Sequence, residues 1–267
     1  MNNELKRIDG MNRHESEYLY DEIFIKQAYL RHGLSLADNA VVFDVGANIG
    51  MFSLFVASKC PTASIYAFEP IPPIFSKLEH NMSGSSGQIH LFCCGLSDAE
   101  SETSFIYYPG YSTMSVESVY ADTAEDKELV KQQLLRQQER NRTLHGDIRE
   151  RDLDDLLDYR FEEARYQCRL RCMSDIIDEY NLSRIDFLKI DVQRAEVDVL
   201  NGIREHHWPL VQQIAMEVHD GSSASTRGRL KQISDVLSGR GFRVVVEQDE
   251  HLSGTDRHNL FALRPRK

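Results

Sequence analysis

Val42-Phe43-Asp44-Val45-Gly46-Ala47-Asn48-Ile49-Gly50 is the stretch whose reading decides the fold. An apolar run from Ala40 to Val45 passes straight into a turn with two glycines. Met51, Phe52, Leu54, Phe55 and Val56 follow at once. This reads as a buried strand feeding a helix. Working outward, Ser64–Glu69 is a second strand closed by Pro70, and a helix covers 72–81. A third strand lies near Ile89–Cys94. Strand, helix, strand, helix, strand predicts a parallel sheet.

The turn itself reads D-x-G-x-N-x-G. A dinucleotide-binding turn wants G-x-G-x-x-G at this place, so an NAD-dependent oxidoreductase is disfavoured. The spacing matches the S-adenosylmethionine (SAM) loop D/E-x-G-x-G-x-G, with Asn48 at the middle glycine. Asn is the non-glycine residue that best tolerates left-handed backbone. Gly46 lets the main chain approach a ligand closely. Asp44, Gly46, Ala47 and Asn48 are therefore candidate cofactor residues. Glu69, at the end of the second strand, can accept both ribose hydroxyls of a nucleoside. Ser97-Asp98, after the third strand, is a candidate for the adenine edge.

The chain has 267 residues, with 31 Lys+Arg against 42 Asp+Glu, a net charge of −11. An acidic chain is a poor fit to non-specific nucleic-acid binding, which needs basic side chains to release counterions. Hydrophobic residues make up 41%, enough for a packed core. No apolar run reaches the ~18 residues of a membrane span, and the first ten residues lack the apolar core of a signal peptide. The expected location is cytoplasmic. Cys60, Cys93, Cys94, Cys168 and Cys172 form no CxxC pair and read as buried thiols.

Residues 15–31 carry apolar positions at helical spacing (Tyr18, Ile23, Phe24, Ala28, Leu30), which predicts an N-terminal helical cover over 1–36. From 105 the alternation breaks. Residues 121–165 hold 13 acidic and 9 basic side chains, so 105–165 reads as a charged helical insertion, a lid on a single domain spanning 1–267. The alternation then resumes: strands at 166–172, 185–192 and 211–218, helices after each, and two last strands at 242–246 and 260–263. The polar link between those two suits an antiparallel return.

The loop, together with Tyr66-Ala67-Phe68-Glu69-Pro70, Leu188-Lys189-Ile190-Asp191-Val192 and Glu217 with His219, resembles the FkbM-type family of SAM-dependent methyltransferases. Tyr18-Leu19-Tyr20 and the segment from Tyr107-Tyr108-Pro109 to Tyr120-Ala121-Asp122 resemble its polyketide and non-ribosomal-peptide branch. The resemblance implies a class I methyltransferase fold, α/β and Rossmann-like. Its sheet has seven mostly parallel strands with an antiparallel last strand. The implied activity is O-methylation of a natural-product intermediate, on a hydroxyl or a carboxyl. Other acceptors within the same fold are a sugar or a protein; a non-catalytic SAM-binding module is the reading from another class. One departure stands out: Gln193-Arg194 occupies the place of the family's Glu-Gly. Arg194 is then either a handle for an anionic substrate or a solvated helix-start residue.

SAM chemistry asks the protein to align a nucleophile and remove its proton. Lys189 and Asp191 share one strand face, and Glu217 and His219 share one face of the next. In register, these predict the pairs Lys189–Glu217 and Asp191–His219. His219 is the first choice of base, since imidazole titrates near neutrality. Asp191 orients it or holds the methionine end of the cofactor. A divalent metal on Asp191, Glu217 and His219 is the less favoured alternative. Tyr18 or Tyr20 would close over the cofactor; Tyr108, Ser112, Thr113 and Met114 would line the acceptor pocket. The partner expected is a small-molecule or acyl-carrier-bound acceptor, not nucleic acid or a membrane, with a homodimer left open.

Overall fold

Eleven strands and eight α-helices are laid down among the described residues of this computed structural model, which are 8–140, 150–221, 226–249 and 252–265. Helix α1 (Arg13–Tyr20) is capped by Asn12, whose side chain accepts the Glu15 N–H. It runs on into a wide turn, Asp21–Ile25. Gln27, His32 and Gly33 all take positive φ and end the helical spacing early. Then come β1 (Val41–Val45), α2 (Met51–Lys59), β2 (Ser64–Phe68), α3 (Pro72–Met82) and β3 (Gln88–Phe92). Short β4 (Gly95–Ser97) and longer β5 (Ser101–Tyr107) and β6 (Val116–Glu117) follow. They precede α4 (Thr123–Arg140), α5 (Glu150–Arg160) and β7 (Ala164–Cys172). The chain closes with α6 (Met173–Glu179), β8 (Phe187–Ile190), α7 (Glu196–Asn201), β9 (Gln213–His219), α8 (Arg229–Gly239), β10 (Arg243–Glu247) and β11 (Arg257–Leu263).

The main sheet has the order β10-β11-β9-β8-β1-β2-β3. Pairs from β3 to β9 are parallel, and β11 runs antiparallel to both β9 and β10. This is the class I methyltransferase arrangement, with the antiparallel last strand as expected. Alternation along β1 shows how the sheet is buried on two sides. Phe43 and Val45 face a cluster with Ile176, Val199, Leu200 and Ile233 of α6–α8. Val42 faces the opposite cluster, with Phe52, Phe55, Ile74 and Leu78 of α2 and α3.

A second sheet, β4-β7-β5-β6, was not legible in the sequence. The segment 105–165 is therefore not helical throughout. Its ends belong to β5 and β7, which pair antiparallel from Ser101↔Leu170 to Tyr107↔Ala164. The half-polar stretch Ser-Glu-Thr-Ser opens β5 with its first two residues exposed, so it carries no apolar run to announce a strand. Only α4 and α5 fit the charged-helix description. They pack on this sheet through Val130, Leu153, Leu157 and Phe161 against Ile106, Tyr108 and Val116, a cluster separate from the other two. Cys60, Cys94 and Cys168 are buried as expected, but Cys93 is exposed and Cys172 half-buried, because both sit where a strand gives way to a turn or helix. Among the described residues, no helix is long and apolar enough to cross a membrane.

Candidate active site

The turns after β1, β2 and β8 meet at the carboxyl ends of the parallel strands, where open α/β sheets place their sites. A cavity of about 700 Å³ opens there. Gly46, Ala47, Asn48, Glu69, Ile71 and Ile74 line one part of it. Lys189, Asp191, Gln193, Glu217 and Arg257 line another. The N-terminal segment adds Glu15, Tyr18 and Tyr29, and the insertion adds Ser112, Thr113, Val130 and Leu134.

The glycine loop is built as its sequence requires. Gly46 has φ +74°, and a Cβ there would stand 2.0 Å from the Asp191 carbonyl oxygen. Only glycine allows β1 and β8 to end this close together. Asn48 takes φ +50°, the left-handed angle expected of it, and its Oδ1 accepts the Ile49 N–H at 2.8 Å. Glu69 is almost fully buried. Its two oxygens accept the N–H groups of Asn48 and Ile71, both at 3.0 Å. Burial pushes its carboxyl up to about 7, against the lowering effect of those two bonds.

Asp44 is corrected from cofactor contact to internal support. It is wholly buried and does not line the cavity. Its Oδ2 accepts from Ser53 at 2.7 Å, and its Oδ1 lies 3.1 Å from Lys189 Nζ. Lys189 donates to the Gly46 carbonyl at 2.6 Å, so this buried ammonium fastens the loop to β8. Burial opposes its charge, but Asp44 and Asp191 outweigh that and hold it above the ordinary value. The expected Lys189–Glu217 pair does not form. Lys189 lies level with Ala215, and the register β8–β9 continues Ile190↔Met216. Asp191 accepts instead from the Tyr29 hydroxyl at 2.7 Å. Tyr29, from the N-terminal cover, was missed as a site residue.

His219 is corrected as well. It does not line the large cavity, and it does not pair with Asp191. Its Nδ1 stands 2.6 Å from Glu196 Oε1, which Arg229 also binds through Oε2 at 2.6 Å. Its Nε2 is 3.6 Å from Glu217 Oε1. Burial opposes its charge, yet Glu196 and Glu217 on either side raise its affinity for a proton. Burial raises the Glu217 carboxyl, with Arg257 and His219 pulling the other way. The metal alternative loses its site, because the donor atoms of Asp191, Glu217 and His219 do not come together. Among the described residues, the group with that geometry is Asp178, His206 and His207, elsewhere on the protein.

The remaining expectations divide. Ser112 and Thr113 line the cavity, and Ser112 donates through N and Oγ to Glu15 (2.9 and 2.6 Å). Tyr18 lines it too. Tyr20 does not, being stacked on Phe24 with centroids 4.6 Å apart. Tyr108 is fully buried against Phe161 and bonded to Thr123, so it belongs to the insertion's core. Met114 also packs there, at the foot of Arg257. Ser97 and Asp98 lie off the cavity, held by β4 against α7. Arg194 is neither solvated nor a substrate handle. It is buried with φ +64° and paired with Asp126 of α4, tying the insertion to the core. Arg257 and Gln193 are polar cavity residues that were also missed. Both sit in polar stretches that give no apolar signal, and Gln193 donates to the Thr113 carbonyl at 3.0 Å.

Comparison with known proteins identifies the family. The sequence model of the methyltransferase FkbM domain matches residues 44–244. The AMB antimetabolite synthetase AmbE of Pseudomonas aeruginosa is 46% identical over 97% of this chain, which spans 12% of that protein's length. The 31-O-demethyl-FK506 methyltransferase FkbM of Streptomyces tacrolimicus is 36% identical over 95% of this chain and 92% of its own. Methyltransferase sdnD of Sordaria araneosa is 31% identical over 90% and 87%. On the matched domain and these relatives, the chain belongs to the FkbM methyltransferase family.

Proposed function

We propose that this protein is a SAM-dependent O-methyltransferase that tailors a natural-product intermediate, free or carrier-bound. One juxtaposition carries the reading. A single cavity holds the buried Glu69 carboxylate beside a glycine loop, and the Glu217 carboxylate farther round its wall. The relatives support the acceptor atom and the setting: one is a 31-O-demethyl-FK506 methyltransferase, and another is an antimetabolite synthetase.

The residues present fit the cofactor. Glu69 is a buried acceptor for ribose hydroxyls, Ile71 and Ile74 offer an apolar wall to a base, and Gly46 brings bare loop backbone to the cavity wall. The loop itself holds no cation, as suits a nucleoside without phosphates. When bound, SAM supplies a methyl group on a positively charged sulfur. Asp191, fixed by Tyr29, presents a carboxylate for the amino-acid end. Glu217 takes the proton of the acceptor hydroxyl, and burial raises its affinity for that proton. His219 stands behind Glu217 and acts on its charge across 3.6 Å. The N-terminal segment and the insertion exclude water around the acceptor.

Calorimetry with S-adenosylhomocysteine, with NAD as the contrasting ligand, tests the cofactor assignment. Micromolar binding of the first and none of the second is expected; the reverse would sink the reading. Intact-mass assays against free and carrier-bound hydroxylated intermediates then test the acceptor, with a gain of one methyl as the expected readout.

A further inference from the structure

Arg257, half-buried, differs from the deeply buried guanidiniums Arg194 and Arg229. Arg194 ends on Asp126, and Arg229 ends on Glu196 at 2.6 Å. Arg257 lines the cavity, yet its nearest carboxylate oxygen, Glu217 Oε1, stands 3.8 Å from its Nε. That is beyond hydrogen-bond reach. Its Nη2 donates toward the Met114 sulfur, and Tyr18, Tyr111 and Asp256 also stand close enough to act on its charge. Glu217 is in the same state: its charged neighbours, Arg257 and His219 at 3.6 Å, are both too far to bond. A cation and an anion thus face each other in the cavity wall, both largely out of water, without a hydrogen bond between them; the guanidinium donates only toward a weak sulfur acceptor. Desolvated charges are costly without hydrogen bonds. A ligand carrying a donor for one and an acceptor for the other would offset that cost. Glu217 suits a hydroxyl. The guanidinium fork suits a planar carboxylate, gripped through two N–H groups.

We propose that the acceptor is a hydroxy acid, with its carboxylate on Arg257 and its reacting hydroxyl on Glu217. This rests on the methyltransferase reading and narrows its acceptor. Arg257 shares a small recess with Met114, Val130 and Gln193, and Gln193 donates to Thr113, so Arg257 belongs to the acceptor part of the cavity. Val130 and Leu134 give that part an apolar wall for the rest of the molecule. In the step, an O–CH₃ bond forms as the S–CH₃ bond of the donor breaks. The electron pair of the broken bond stays on sulfur, giving the neutral thioether, and the hydroxyl proton passes to Glu217. The acceptor carboxylate is unchanged. Held by both oxygens, it serves as the handle, and the hydroxyl is the atom methylated.

The test is calorimetry on the S-adenosylhomocysteine complex with three probes: L-malate, its neutral diamide and inorganic phosphate. Wild type should bind malate saturably and the diamide not at all. Arg257→Gln should weaken malate by at least about tenfold, the scale of one lost charge-assisted contact, and Arg257→Lys should recover only part of it. S-adenosylhomocysteine affinity should be unchanged in both variants, which shows that they are folded. Malate binding equal in wild type and Arg257→Gln overturns the proposal. So does phosphate binding with no malate binding, or no binding of any probe. If S-adenosylhomocysteine itself fails to bind wild type, the methyltransferase reading falls first.

Discussion

His219 stands behind Glu217, its Nε2 3.6 Å from the Glu217 Oε1, and only Glu217 reaches the cavity. The nearer group is the one that can meet an acceptor. Glu217→Gln should therefore cut methyl transfer by ~10²-fold or more, the usual scale of a general base. S-adenosylhomocysteine affinity should stay near wild type. A discontinuous assay plus calorimetry reads both; near-normal turnover would move the base elsewhere.

Glu69 predicts a pH dependence with a defined sign. Its carboxyl is raised to about 7 by burial, while an unfolded glutamate titrates near 4.5. The folded state holds this proton more tightly. This group's contribution is thus most favourable below the unfolded value and is lost as pH rises from there to about 7. Ribose hydroxyls need the ionised form, so ligand binding runs the other way. S-adenosylhomocysteine should bind about tenfold more weakly at pH 6 than at pH 8. Glu69→Gln should abolish that slope and leave weak binding at every pH. Titration calorimetry at three pH values checks it.

Gly46→Ala should fail and Asn48→Gly should not. An added Cβ at Gly46 meets the Asp191 carbonyl, so the strand ends must part and cofactor affinity should drop by more than about tenfold. Asn48 already has a left-handed backbone, which glycine adopts freely. Asn48→Val should cost about 1–2 kcal/mol of stability, because a β-branched side chain is strained there. Denaturant melts of the three variants give the order.

Arg194→Met should destabilise the fold by about 3–5 kcal/mol, the cost of stranding one partner of a buried ion pair, here Asp126. Removing both with Arg194→Met and Asp126→Leu should recover much of the loss. Urea denaturation of the double-variant cycle measures the coupling. An additive result would show that the pair does not tie α4 to the core.

The glycine loop, the strand–helix alternation around it and the acid after β2 were legible because each is local: a few adjacent residues with a period and a turn. Partners distant in sequence were not. Glu196 lies 23 residues before His219, and nothing in either stretch announces the bond. Arg194 looked like a surface residue because its partner Asp126 comes from a charged run that itself looked solvated. Tyr29 fell inside the stretch that reads as a helix, whereas the helical run ends by Ile25, and its hydroxyl meets an acid 162 residues away. β5 escaped because its exposed first half holds only Ser, Glu and Thr.

The second sheet and its two helices close on a cluster of their own, Ile106, Tyr108, Val116, Val130 and Leu157, apart from the clusters that flank the main sheet. Side chains on the two sides of that divide can therefore change with little mutual interference. Thr113, Val130 and Leu134 belong to the first group, and Gly46, Glu69 and Ile74 to the second. Acceptor preference can drift by substitutions in the appended sheet and its helices while the nucleoside end stays fixed. A descendant of this chain can thus inherit its cofactor unchanged and acquire a different substrate.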